Sequence, residues 1–260
     1  GIKLNYLKEF IQTLDEDFFR TATTAEVCQR KIIPATAVRL DTYCGHLKVY
    51  QPHAVGKANA FISHSWRFKF IDLCNALLYF FRDDHEAILW IDIFSNNQHS
   101  SCDKPLDWWT GMFKNTIKEI KRTVMVFIPW NDPEPLRRSW CVWELFCTIQ
   151  EKCRFDVAMD EENNRRFLTA ITNSHGFEDY FGEIDCERSE ATIPRDRELI
   201  FQAISQGIGF VRLNRLIREF MKNWTRIKSG REVNPTLLWR GVSDIDVLAQ
   251  MSGISNLYKT

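Results

Sequence analysis

The stretch TVMVFIPWNDPEPLRRSWCVWELFCTIQE, Thr123 to Glu151, changes character twice. Its first part, 123–129, is apolar at nearly every position and rich in β-branched side chains, as a strand buried on both faces would be. A polar segment punctuated by prolines follows, and from 137 to 151 the chain has the length and apolar content of a helix. Three other runs share the first character: ANAFISH (58–64), AILWIDIF (87–94) and RFDVAM (154–159). The intervening segments 68–82 and 106–121 have room for helices. Strands that do not alternate, separated by helices, predict a doubly wound α/β core: a central parallel sheet of about five strands, flanked by helices.

Outside this core the pattern is helical. LNYLKEFIQTLDEDFFRTAT repeats apolar residues at Leu4, Leu7, Phe10, Ile11, Leu14 and Phe18, spacing that predicts a helix. TTAEVCQRKIIPATA adds a shorter one, with Thr24 as cap and Pro34 as stop. At the other end, 161–173 and 195–224 carry helical spacing, and Gly207 and Gly209 are placed to break the second. In the tail, Pro235 and LLWRGVSDIDVLAQM suggest a loop and a short helix packing back. The organisation expected is a helical N-terminal extension (1–55), an α/β domain (56–224) and a C-terminal extension (225–260).

Composition narrows the function classes. The chain has 260 residues, 45% hydrophobic and 26% charged, which suits a globular protein with a sizeable core. Lys plus Arg and Asp plus Glu are equal at 34 each, a balance that points neither to nucleic acid nor to an anionic membrane. The most apolar stretch, FIDLCNALLYFF (Phe70 to Phe81), carries Asp72 and falls short of the roughly 20 residues a membrane span needs. No signal peptide is visible. Eight cysteines are scattered without a CxxC pair, which favours a reducing, cytoplasmic compartment over a disulfide framework. The one metal-like motif, HSSC (His99 to Cys102), lacks a second pair at zinc spacing.

In an open parallel sheet, ligands bind beyond the carboxyl ends of the strands. SHSWRF, FSNNQHSS and PWNDPEPLRR fall there, with the polar and aromatic composition that binding needs. Neither G-x-G-x-x-G nor a Walker loop is present, which argues against a glycine-cradled phosphate. Glu144 poses the sharpest question, because it stands among Trp140, Cys141, Trp143, Leu145, Phe146 and Cys147. A carboxylate drawn into such surroundings requires a partner or takes up a proton. One answer is bland: Glu144 caps, pairs with Arg137 or Arg138, or faces solvent.

These segments resemble a known family. NAFISHSWRF is similar to the first strand and following loop of Toll/interleukin receptor (TIR) domains, and LWIDIFSNN to their second strand, with its Asp, running into the BB loop. TVMVFIPWNDPEPLRRSWCVWEL is similar to their third strand, loop and helix, where the family often reads Ser, any residue, Trp-Cys, two residues, Glu-Leu. The likeness covers about Ala58 to Asp160 and is greatest to TIR-like domains at the front of large repeat-containing proteins of protists and invertebrates. A departure is the BB loop, FSNNQHSSCDKP, which lacks the usual glycine or Pro-Gly. The resemblance implies a flavodoxin-like fold. For catalytic members it also implies cleavage of the nicotinamide–ribose bond of NAD, with or without cyclisation, by a helix-borne Glu four residues after a Trp. Trp140 and Glu144 fall on that motif. NAD would then be a substrate, with no permanently bound cofactor. Other members are adaptors that bind other TIR domains or a second copy of themselves, and a nucleotide sensor without turnover is a third expectation.

The residues suit the chemistry. Positions four apart on a helix differ by about 40° in direction, so Trp140 can wall a pocket into which Glu144 points. Breaking the bond builds oxocarbenium-like charge on the ribose, and a carboxylate in a water-poor site stabilises it. Ser63, His64, Ser65, Trp66, Arg67 and Phe68 offer hydroxyls, an imidazole, an indole and a guanidinium. Arg67 suits a pyrophosphate and Trp66 suits stacking on nicotinamide or adenine, while Trp66 and Phe68 serve equally as core and His64 as a structural hydrogen bonder. Asp92 either bonds the BB-loop backbone or reaches the ligand. Ser95 and Asn97 read ribose or amide edges or simply form turns, and Trp130, just past the third strand, stacks or packs.

Overall fold

The computed structural model describes residues 1–100, 105–173 and 184–230. Five strands form one sheet: β1 (Ile2–Lys3), β2 (Ala60–Ser63), β3 (Ile88–Trp90), β4 (Arg122–Val126) and β5 (Arg154–Ala158), in the spatial order β1-β3-β2-β4-β5. The last four are parallel in a flavodoxin-like order, and β1 adds an antiparallel edge to β3 with Ile2 opposite Leu89.

Side chains alternate across a strand, so each strand feeds two layers. Ala60, Ile62, Val124 and Val126 join one apolar cluster, roofed by the helices Leu4–Gln12, Tyr43–Tyr50 and Phe70–Phe80. Phe61, Met125 and Phe127 join the other, under Leu106–Ile120, Ser139–Gln150, Glu161–Asn173, Pro194–Gln206 and Phe210–Lys228. The terminal helices predicted at both ends are therefore integral to the two layers. Phe10 alone sets its ring edge-on to Tyr43, Phe70 and Phe94, and Phe220 and Trp224 of the Phe210–Lys228 helix pack on Phe155 of β5.

Four local expectations need correction. The first helix ends at Gln12, and Asp15 caps a second, Glu16–Thr21, by accepting from Phe18 N, so the periodic run is two helices. Thr23, not Thr24, caps the next helix in a reciprocal box with Glu26, because the Thr24 amide is committed to Phe68 O. Pro34 does not stop it: a π-helical turn, Cys28–Ile32, precedes the proline, and helix resumes over Ile33–Thr36. The apolar run 87–94 is strand only to Trp90. Asp92 then accepts from Ile93 N and starts a single turn, Asp92–Ser95, so a carboxylate bent the chain out of the sheet. The break at Gly207 and Gly209 is where the spacing put it, with Gly209 at φ 75. Within the C-terminal extension 225–260, helix continues to Lys228, while Pro235 and LLWRGVSDIDVLAQM lie outside the described residues. No helix among the described residues is long and apolar enough to cross a membrane.

Candidate active site

The parity of β2 places Ser63 on the same side as Phe61, toward the Ser139–Gln150 helix. That helix turns Cys141, Glu144 and Thr148 to the sheet, the i, i+3, i+7 stripe of one helical face. Each makes a polar contact there. Ser63 Oγ donates to Glu144 Oε2 at 2.6 Å, Thr148 Oγ1 lies 2.8 Å from Thr123 Oγ1 of β4, and Cys141 Sγ donates to the His64 carbonyl at 3.4 Å. Glu144 is therefore the centre of a polar seam between helix and sheet, at the carboxyl end of β2.

Its electrostatics answer the question the sequence raised. Glu144 is 7% exposed, and burial pushes its carboxyl well above the usual carboxylate range. The Ser63 hydroxyl opposes that rise, and the charge of Asp92 adds to it. No ion pair reaches Glu144 among the described residues. Arg137 goes to Asp132 at 2.5 Å and Arg138 to Thr192 Oγ1 at 2.6 Å. The partner is a hydroxyl, and burial favours the protonated form of the carboxyl. Cys141, beside it, is no nucleophile, since burial drives its thiol well up.

Around this centre the loop 63–68 is tied down residue by residue. His64 is buried, and burial keeps its imidazole neutral by lowering its pKa. Its Nε2 lies 3.8 Å from Asp92 Oδ1, beyond hydrogen-bond reach, and has no other partner. Trp66 Nε1 donates to Asp92 Oδ2 at 2.6 Å, which orients the indole and gives Asp92 its positioning role. Ser65 Oγ donates to Glu134 Oε1 at 2.8 Å, and Arg67 meets Glu190 at 3.2 Å on the surface. Phe68 is a buried core residue, and its carbonyl accepts the Thr24 amide. Of its two roles, core is the one the geometry provides.

The remaining candidates disperse. Ser95 Oγ lies 3.8 Å from Cys44 Sγ, and Asn97 Nδ2 donates to Leu40 O at 2.7 Å. His99 Nε2 is 2.8 Å from Thr36 Oγ1, so the segment after Asp92 is stitched to the N-terminal helices. Trp140 packs on Phe113, with ring centroids 5.3 Å apart, and its indole donates to Asp196 Oδ2 at 3.2 Å. Trp130 rests on Phe167, itself stacked on Trp224. The structure thus gathers Ser63, His64, Trp66, Asp92 and Glu144, sets Ser65 and Arg67 at the rim, and sends Ser95, Asn97, Trp130 and Trp140 to other neighbours.

Arg138, Glu134 and Glu190 complete the rim; the first two lie in PWNDPEPLRR, a loop the sequence placed beyond a strand end without giving either residue a role. Arg138 had a signal, as the residue just ahead of the helix that bears Glu144; Glu190, 123 residues from Arg67, had none. No cluster of His, Cys, Asp and Glu suited to a metal occurs among the described residues; Cys102 of HSSC lies outside them. Comparison of the chain with protein-family models, with curated proteins and with solved structures finds no match.

Proposed function

We propose that the chain is a TIR-type NAD glycohydrolase of the cytoplasm, acting in immune or stress signalling, with Glu144 as its catalytic residue. The observation that carries this reading is a buried, helix-borne carboxyl with a hydroxyl partner and no cation paired to it among the described residues, at the loop-bearing rim of a parallel sheet. Such a group is poised for a positive charge that arrives with the substrate.

The bond from C1′ to the pyridinium nitrogen breaks with both electrons going to nitrogen, so nicotinamide leaves neutral and needs no proton donor. The positive charge moves to the ribose, where the Glu144 carboxylate stabilises it and accepts from the ribose hydroxyls. Binding the cationic nicotinamide ring favours release of the Glu144 proton to solvent, and Ser63 holds the resulting carboxylate in place. Water attacks C1′ and loses a proton, giving ADP-ribose; attack by an adenine nitrogen instead gives a cyclic product. Trp66, fixed by Asp92, offers an indole face for nicotinamide.

The test is incubation of the protein with NAD while nicotinamide is followed chromatographically. Nicotinamide release that Glu144→Gln lowers about 100-fold or more supports the reading; no release at micromolar protein, or release that the substitution leaves unchanged, refutes it. A second reading is a non-catalytic assembly module that binds other TIR domains or its own copies. Val38 and Leu40 favour it, as exposed apolar residues, 97% and 61% accessible, beside the stitched segment. Val38→Asp with Leu40→Asp would then abolish concentration-dependent light scattering and leave nicotinamide release absent.

A further inference from the structure

Arg138 carries a buried charge that is only partly satisfied. The residue is 7% exposed, Nη2 donates to Thr192 Oγ1, and Nη1 is buried without a hydrogen-bond partner among the described residues. A guanidinium is always charged and carries five N–H donors, so an orphaned one in a dry place is costly unless a ligand completes it. The groups that act on it electrostatically are Arg67, Glu134 and Glu190 of the rim and Cys141 of the buried seam. Both cations flank Glu190, whose carboxylate meets Arg67 at 3.2 Å and whose backbone pairs in parallel with Arg138. Glu134 is held by Ser65, and Glu190 bridges to Arg67 only at the surface, where both side chains are more than half exposed. Ion pairs of that kind exchange readily.

We propose that Arg138 is the inner wall of a pyrophosphate-binding cleft at the N-terminus of the Ser139–Gln150 helix, that Arg67 is its outer wall, and that the Glu190 carboxylate is a placeholder the ligand displaces. This deepens the glycohydrolase reading and rests on it for the identity of the ligand, a nicotinamide dinucleotide. The 12-residue helix has no side-chain cap at its start, and the positive end of its dipole adds to the two guanidinium groups. Phosphate accepts paired N–H bonds from guanidinium, which is the contact Arg138 lacks. Arg138 directly precedes the helix that bears Glu144.

Calorimetric titration with ADP-ribose tests the cleft without turnover. Binding by the wild type, weakened about 10- to 100-fold in Arg138→Gln and partly recovered in Arg138→Lys, is the expected result. Glu190→Gln is expected to act in the opposite direction, tightening ADP-ribose about two- to fivefold. It changes an exposed side chain, so it carries the test if Arg138→Gln fails to fold by circular dichroism. Unchanged affinity in the folded variants, or no wild-type binding at millimolar ADP-ribose, overturns the proposal. Inorganic phosphate binding as tightly as ADP-ribose overturns the dinucleotide assignment. Glu144→Gln separates the two ideas: intact ADP-ribose binding in a protein that releases no nicotinamide, even as wild type, would remove the glycohydrolase and leave the cleft.

Discussion

Glu144→Gln removes one titrating group from the buried seam and nearly preserves its shape, so its consequences follow from proton counting. In the folded chain burial raises the Glu144 pKa well above the ordinary value, while the unfolded chain titrates at about 4.3. Between those two points the folded state holds a proton that the unfolded state has lost. Stability therefore falls as pH rises through this window, by up to about 1.4 kcal/mol per pH unit, and levels off above the folded pKa. Glutamine cannot titrate, so the difference in unfolding free energy, variant minus wild type, should climb from pH 4.5 upward with that limiting slope and then reach a plateau. The pH of the plateau reads the folded pKa directly. His64 titrates in both proteins, with the opposite sign: burial lowers its pKa, so its contribution is lost as pH falls below about 6.5. It cancels in the difference. Urea denaturation at intervals from pH 4.5 to 8 is the assay, and nicotinamide release from the same preparations should drop about 100- to 1,000-fold. Parallel stability curves for the two proteins would refute the buried-acid account, whatever the activity does.

Ser63→Ala deletes the hydroxyl that favours ionised Glu144, so the acid limb of the pH–activity profile should move upward and folding should lose about 1–3 kcal/mol; an unmoved limb would mean Ser63 does not position the carboxyl. Trp66→Phe removes the indole donor to Asp92, and a loss of about 1.5–3 kcal/mol by urea titration is expected, with a raised KM for NAD and a smaller change in kcat. Phe10→Ala should cost about 3–5 kcal/mol, since its ring meets three others in the layer that includes β2; a cost below 1 kcal/mol would show that the first helix merely rests on the domain. Asn97→Ala frees the segment after Asp92 from Leu40, and amide exchange over 95–99 should quicken while exchange in β2 stays as slow as before.

The amino-acid sequence alone carried the elements whose causes are local. Four of the strands announce themselves as apolar runs, because a strand buried on both faces has no polar side to show. The Ser139–Gln150 helix and the break at Gly209 were equally plain, the latter because positive φ suits glycine. Edges of elements were less plain: β1 has two residues, too few for any period, and exists only because β3 offers it an edge. Asp92 looked like the end of a strand and is the start of a turn, since its carboxylate found the backbone one residue on.

Which residues meet is settled in three dimensions. The sequence singled out Glu144 as an acid among apolar neighbours, and proximity along the chain offered Arg137 and Arg138 as partners. Folding sent those to Asp132 and Thr192 and brought Ser63 from 81 residues away. That exchange replaces a cationic partner by a hydroxyl and shifts the carboxyl toward its protonated form, a difference of chemistry that no local pattern encodes. Charge and burial are pair properties of distant residues, set when strand parity and helix face lock against each other.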